Sequence, residues 1–242
     1  MNASAPSSHA TTTSPIDTVG PEPIETPEPI TVILEIPSGA IRLIAAERRD
    51  TTVEILPADA SRNRDVKAAQ HMQVAYDAGV LRVEAEAAEH RLIGDSGSVT
   101  VTVHLPAGSR VQAKAAVADL RGAGRLGEVA FEGATGSIDL EEAADACLVL
   151  ADGSIAVGRL GGAAEISTRR GDIVIGEAVR GTVVLRTQSG SLSIGAARGV
   201  SAALDAGTGH GRIHNSLRNA TGTAELLIHA TTAYGDITAR SL

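Results

Sequence analysis

The segment RGDIVI at residues 170–175 belongs to a set of six that share one pattern: a glycine, a polar residue, Ile or Leu, any residue, and a last position that is usually apolar. The other members are TGSIDL (135–140), DGSIAV (152–157), SGSLSI (189–194), HGRIHN (210–215) and YGDITA (234–239). Their glycines are 17, 18, 19, 21 and 24 residues apart. A pattern that recurs at such a spacing indicates a repeat protein.

Polarity alternates with a period of two within each unit. Ile173 follows Gly171 by two residues, whereas Asp172, directly after the glycine, is polar. This alternation is typical of a strand with one buried face. We therefore expect Ile173 to point inward and to contact Ile155 and Leu192 of the neighbouring units. Asp172 is expected to point outward.

A second strand with the same period precedes each glycine, as in Val183, Leu185 and Thr187 before Gly190. Each unit therefore contributes two short strands and two turns. A unit of this size cannot bury its inner face alone, whereas stacked units cover one another through parallel strand pairing. The sequence predicts an all-β fold, a parallel β-solenoid (β-helix) of roughly 18-residue coils over residues 111–242.

The N-terminal region, residues 27–110, is predicted to be a β region that caps the solenoid. It contains short runs rich in β-branched residues and bounded by Pro and Gly. These predicted strands are ITVILEI (30–36), AIRLIAA (40–46), TTVEIL (51–56), VLRVEA (80–85) and SVTVTVHL (98–105). The Ala-rich stretch at 65–73 predicts the one short helix of the chain.

Residues 1–26 are predicted to be a disordered leader. Six of the nine prolines fall within residues 1–30, mixed with Ser, Thr and Glu, a composition that cannot bury enough apolar surface to fold. We expect no strand before Ile30, and hence no loss of stability when residues 1–26 are removed. Residues 1–15 contain no Lys, no Arg and no apolar run of the kind a secretory signal needs, so we expect a cytoplasmic protein.

Composition bears on several function classes. The formal charge is −8, from 29 acidic and 21 basic residues, which argues against binding to nucleic acid or to anionic membranes. The chain has no Trp, one Phe and two Tyr, so it offers almost no surface on which bases or sugar rings could stack. A single cysteine, Cys147, excludes an internal disulfide and any metal site built from several cysteines. No apolar run approaches the length of a membrane span.

The order of four segments resembles a family of bacterial β-strand-repeat domains of unknown function that are labelled "putative adhesin". The resemblance covers most of residues 27–242 and rests on TPEPITVILEI (26–36), SVTVTVHLPAGSRV (98–111), GRLGEVAFEGATGSIDL (124–140) and TTAYGDITAR (231–240). It implies a β-solenoid with an N-terminal β cap. It implies no reaction, no cofactor and no catalytic residue.

Three short motifs suggest sharper functions. GDSGS at 94–98 resembles the nucleophile loop of chymotrypsin-like proteases, but only 25 residues separate Ser96 from His71, so we interpret the motif as a turn before a strand. Arg170, Gly171 and Asp172 spell an integrin-binding tripeptide, but the glycine belongs to the repeat. His210 and His214 would lie about 13 Å apart along a strand, too far to share a metal ion.

Some parallel β-helices act on polysaccharides, so an enzyme is an alternative function. The outward acids Asp139, Asp172 and Asp236 lie on units that are not consecutive and form no evident pair. A basic strip for an acidic chain could come from four arginines, namely Arg169, Arg170, Arg186 and Arg198. Scattered solvated charges are the simpler explanation of the arginines, and a binding or scaffold protein is therefore preferred. Cys147 is expected to face outward as a structural thiol.

We therefore predict a non-enzymatic binding or scaffold protein of the adhesin type, with no catalytic, cofactor-binding or metal-binding residue. The alternatives are a polysaccharide-active enzyme and a genuine exported surface adhesin. The partner is expected to be a protein or a second copy of the chain, bound through the C-terminal rung at residues 223–242. That rung is expected to close the stack with an unpaired strand edge.

Overall fold

Strands make up most of the chain, as the alternating pattern predicts. The structure is a computed structural model and describes residues 22–86, 97–218 and 223–242. The described elements are β1 (Ile24–Glu25), β2 (Thr31–Ala46), β3 (Asp50–Pro57), α1 (Asn63–Gln70), β4 (Met72–Asp77), β5 (Val80–Ala85), β6 (Val99–Pro106), β7 (Arg110–Thr135), β8 (Ile138–Asp152), β9 (Ile155–Leu160), β10 (Ala164–Arg170), β11 (Ile173–Ala178), β12 (Gly181–Ser189), β13 (Leu192–Ala196), β14 (Ala202–His210), β15 (Ile213–Ser216), β16 (Leu226–Tyr234) and β17 (Ile237–Ser241).

Most strands pair in parallel with the strand one repeat away. After the glycine, Ile173 in β11 pairs with Ile155 in β9 and with Leu192 in β13. All three side chains are buried, whereas Asp172 is exposed. The predicted register and the predicted neighbours of Ile173 are therefore confirmed. We call one level of this stack, a strand before the glycine and a strand after it, a rung.

The strands before the glycine form a second parallel ladder. Leu148 in β8 pairs with Ile166 in β10, which pairs with Leu185 in β12, and all three are fully buried. One continuous apolar core therefore follows the stack. Its side chains are aliphatic apart from Phe131, in accord with a narrow interior.

The N-terminal region joins the stack as well as covering its end. The predicted strands at 30–36 and 40–46 form one bent strand, β2, which pairs in parallel with β5 and β6 on one side and with β7 on the other. β3 and β4 then cover β6 and β5 in antiparallel fashion. The helix is confirmed but ends at Gln70, because residues from Met72 onward enter β4 instead.

The order of rungs at the other end differs from the order of the chain. β16 pairs with β12 on one side and β14 on the other, and β17 likewise lies between β13 and β15. The rung at 223–242 is therefore internal, and the expectation that it closes the stack is wrong. The level that closes the described stack is β14 with β15, which we call the terminal rung.

The first described strand lies before Ile30, where the first strand was expected. Residues 1–21 lie outside the described residues, but Ile24 and Glu25 form β1 against β3. Thr26 is buried, and its hydroxyl is 2.8 Å from that of the buried Thr51. The predicted boundary at residue 26 therefore cuts through a packed contact.

The register around Ile173 can be tested with one disruptive change and one conservative change. Ile173→Asp places an unpaired carboxylate between two apolar side chains and should lower the free energy of unfolding by more than about 4 kcal/mol. Asp172→Asn should change it by less than about 0.5 kcal/mol, because the amide oxygen can still accept the hydrogen bond from Ser191 N–H. Urea denaturation of both variants measures the difference. Equal losses would contradict the register.

Thr26→Val tests the contact that joins residue 26 to the fold. The change keeps the side-chain volume but removes the hydroxyl that pairs with Thr51, so we expect a loss of about 1 kcal/mol in unfolding free energy. Thr182→Val is the matched control, because Thr182 is exposed on a strand and should tolerate Val. An unchanged melting temperature for Thr26→Val would show that this contact adds nothing to stability, as a domain boundary after residue 26 requires.

Candidate functional site

The corner between the two strands of a rung is built from stacked glycines. Their φ angles lie between 139° and 158°, a region that L side chains rarely adopt. We call them the corner glycines; they are Gly39, Gly136, Gly153, Gly171, Gly190, Gly211 and Gly235. A Cβ on Gly171 would lie 2.1 Å from the carbonyl oxygen of Gly153, and the other corners are equally close. Only glycine therefore fits at these seven positions, whereas Ala118 occupies the position in register with Gly39 on β7.

Threonine hydroxyls satisfy the carbonyls of several corner glycines. Thr187 Oγ1 donates to the carbonyl of Gly171 at 3.2 Å, and Thr232 Oγ1 donates to that of Gly190 at 3.0 Å. Both threonines point inward and are buried. The corner thus combines close backbone approach with a polar contact from the next rung, a role that sequence reasoning missed although a threonine stands three residues before four of the glycines.

All three residues of the RGD tripeptide make contacts within the stack. Gly171 is a corner glycine, Arg170 forms an ion pair with Asp152 of one neighbouring rung, and Asp172 Oδ1 accepts a hydrogen bond of 2.7 Å from Ser191 N–H of the other. Both charged groups therefore serve the stack, as the repeat interpretation predicts.

Asp172 is one of several acids that hold a neighbouring rung. Asp236 Oδ1 accepts from Arg212 N–H at 2.8 Å, and Asp119 Oδ1 accepts from Ser137 N–H at 2.9 Å. Asp139 is exposed and lies two strand positions further on, three residues after its glycine instead of one. The structure therefore does not bring Asp139, Asp172 and Asp236 together as an acid pair or cluster.

The predicted basic strip is partly neutralised. Arg186 Nη1 donates to Glu165 at 2.6 Å, and Arg170 pairs with Asp152. Arg169 is exposed beside Arg170, whereas Arg198 lies in the turn after β13. On the opposite ladder, Arg159 pairs with Glu142 and Glu177 of the rungs on either side. The outward charges of the repeats therefore link adjacent rungs.

The histidine and cysteine candidates do not assemble a reactive centre. His210 stacks on Tyr234 with ring centroids 5.0 Å apart, and His214 is exposed on β15. Among the described residues, no group of three or more His, Cys, Asp or Glu side chains is placed to hold a metal ion. His71 is exposed at the end of α1, and the residues 94–96 of the protease-like motif lie outside the described residues. Cys147 is exposed, which confirms its outward position.

Two carboxyl groups in the N-terminal region have a lowered pKa. A hydrogen bond from the Arg48 guanidinium lowers the pKa of Asp50, and the Ser61 hydroxyl and backbone N–H lower that of Asp59. A lowered pKa keeps each group anionic at neutral pH, which suits a surface contact rather than proton transfer.

An open groove of about 1020 Å³ crosses the rungs of the N-terminal half near the corner. Its charged lining consists of Glu35, Glu84, Glu86, Glu132 and Lys114. Glu35 lies in register with Glu84 on one side and with Lys114 on the other, and Lys114 Nζ is 3.8 Å from Glu132. A second groove, of about 790 Å³, is lined mainly by small residues around Gly161 and Gly162.

The terminal rung presents a different surface. Ile213 of β15 is 46% exposed, although its partner Ile237 in the next rung is fully buried. Leu204 of β14 is likewise only partly buried, although its partner Ile228 is 1% exposed. The apolar core therefore reaches the surface at this end of the described structure.

Comparison with known proteins gives structural likenesses without a family. No protein-family model matches the chain, and no curated protein matches it. A solved structure named "putative adhesin" from Bacteroides fragilis is 14% identical, with a TM-score of 0.47 over 93% of this chain and 98% of that one. One named "putative cell adhesion protein" from Clostridium sporogenes is 11% identical, with a TM-score of 0.42 over 92% and 100%.

A third structure is named "Putative lipid binding protein", from Parabacteroides distasonis; it is 12% identical, with a TM-score of 0.42 over 91% and 97% of the two chains. The neighbours thus carry bacterial adhesin or binding names. At these identities and TM-scores, the likeness carries no argument about the function of this chain.

The corner column can be tested at Gly171. Gly171→Ala forces an L side chain into a φ of +143° and against the Gly153 carbonyl, so we expect a loss of at least about 3 kcal/mol in unfolding free energy. Gly207→Ala is the matched control, because nothing lies within 4 Å of a Cβ at that position. Chemical denaturation compares the two, and equal stability would contradict the role of the corner.

Proposed function

We propose that this chain is a parallel β-solenoid that works as a non-enzymatic binding or scaffold protein with a protein partner. The observation that carries the proposal is the use of the outward charges. Arg159, Arg170 and Arg186 each form ion pairs with carboxylates of adjacent rungs. Charges engaged in this way stiffen a display surface, whereas an active site would need them to converge on a substrate.

The solenoid itself is supported by the in-register pairing of successive repeats in two ladders and by the glycine at each corner. Such a scaffold presents long rows of side chains at a fixed spacing of about 4.8 Å. A rigid row of this kind suits recognition of an extended partner surface with little ordering cost on its own side.

The polysaccharide-active alternative would need two convergent carboxylates, or basic groups that face an acidic chain. In the large groove, Glu35 and Glu84 are the acids on adjacent strands, and Lys114 follows in the same row. If the chain acts on polysaccharides, the reaction is therefore expected in this groove, and Glu35→Gln is the variant that tests it.

Cellular location remains a proposal. Among the described residues, no helix is both long and apolar enough to cross a membrane. We propose a cytoplasmic protein, and fractionation of producing cells distinguishes it from an exported adhesin. Recovery of the chain on the cell surface would favour the adhesin.

The proposed function is tested by turnover and capture together. Purified protein incubated with acidic polysaccharides should release no new reducing ends and no unsaturated sugars, and release that disappears in Glu35→Gln would overturn the non-enzymatic proposal. The immobilised chain should capture the same protein repeatedly from the producing bacterium. A protein that Ile173→Asp also captures would count as non-specific, because that variant should not fold.

A further inference from the structure

The terminal rung leaves strand hydrogen-bonding groups at its outer edge. The carbonyl of Ser201 accepts hydrogen bonds from the N–H groups of Glu225 and Leu226, so the odd-numbered residues at the start of β14 face β16. In a strand, alternate residues direct their backbone groups to opposite neighbours. The even-numbered residues of β14, namely Ala202, Leu204, Ala206 and Thr208, therefore direct their N–H and C=O groups away from the stack. In the described part of the chain, no strand pairs with that edge.

Exposed apolar side chains accompany this edge. Ile213, Leu227 and Tyr234 are 46%, 43% and 60% exposed, and all three lie in the last two rungs. Leu204 and Leu217 are partly buried and continue the core toward the end. An unpaired edge next to apolar side chains is a template for a further strand.

The two ends of the stack are not alike, and this limits how copies could associate. β3 and β4 cover the N-terminal end in antiparallel fashion, with α1 against β3. The terminal rung at the other end has no such cover among the described residues. A second copy therefore cannot extend the parallel ladder head to tail, whereas two β14 edges brought together about a two-fold axis close at two copies.

We propose that two copies of this chain pair through β14 in antiparallel fashion about a two-fold axis at Ala206. Ala206 is the middle of β14 and directs its backbone groups outward, so this register pairs the segment from Leu204 to Thr208 of one copy with the same segment of the other. The carbonyl of His210 accepts a hydrogen bond from Gly235 N–H of its own chain and takes no part in the pairing. It places Leu204 of one copy opposite Thr208 of the other on the core side. On the outer side it places Asp205 of one copy opposite Gly207 of the other.

This register is compatible with the charges of β14. Asp205 is the only acid of the strand and contacts His229 of its own chain at 3.3 Å. The carboxylate therefore meets a glycine rather than a like charge across the interface. Arg212 and Arg218 lie beyond β14, at the rim, where their charges do not oppose each other within the strand pair.

Sedimentation velocity of the purified full chain over a range of concentrations tests the dimer. We expect a reversible monomer–dimer equilibrium for the wild type and a monomer for Ala206→Pro. No strand of the described residues pairs with the edge on which the Ala206 N–H lies, so proline should leave the fold intact while blocking the new pairing. An unchanged melting profile at low concentration verifies the fold. A wild type that stays monomeric, or a dimer that survives Ala206→Pro, would overturn the proposal.

Two substitutions of opposite charge at Gly207 test the register independently of proline. A Cβ at Gly207 has open space around it, so both side chains fit the monomer. Gly207→Asp would oppose Asp205 of the other copy twice per dimer and should weaken dimerisation roughly tenfold, whereas Gly207→Lys should strengthen it. Equal dissociation constants for the two variants would contradict this pairing.

The dimer and the proposed binding role can fail separately. The sedimentation experiment contains the purified chain alone, whereas the capture experiment needs the partner protein. If Ala206→Pro is monomeric and still captures the same protein, the dimer stands and the partner binds elsewhere. If a foreign strand-forming protein occupies β14 while the chain alone stays monomeric, the second copy is the wrong occupant.

Discussion

The close approach of successive corner glycines is the constraint on which the rest of the structure depends. A Cβ on any corner glycine would overlap a backbone carbonyl of the neighbouring rung. This holds for Gly153 over Gly136 and for Gly190 over Gly171. This contact aligns one rung with the next to the residue. Alignment at the corner then fixes the register of both ladders, because each strand begins or ends there. Buried threonines such as Thr187 add a hydrogen bond to the same column.

The same constraint explains why the sequence predicts the faces so well. Once glycine is fixed at the corner, the residue two positions later must point inward, as Ile173 does, and the residue between them must point outward. Ala130, Cys147 and Glu165 each stand six residues before a corner glycine, and the structure pairs them in register. Local periodicity therefore suffices for register, burial and the positions of most strands.

Periodicity does not determine which rung lies beside which. The six repeats offer the same glycine and similar inward aliphatic positions, so a later rung can pair with an earlier one at little cost. The spacing holds the available signal: 17 to 19 residues separate corner glycines that stack in chain order, whereas 21 and 24 residues separate Gly190, Gly211 and Gly235. The extra residues let the chain pass over one level and return. If the rungs stacked in chain order, the open edge would lie on residues 223–242. It lies on β14 and β15 instead.

This change of order has a consequence for stability and association. β16 and β17 pair on both sides, and Leu242 donates its N–H to the carbonyl of Ala196 at 3.0 Å, so the segment after β17 is tied to the neighbouring rung. Among the described residues, the terminal rung pairs on one side only, with β16 and β17. An element with half of its strand contacts lies at the low end of local stability. A second copy at β14 would supply the missing half, which couples the stability of the terminal rung to protein concentration.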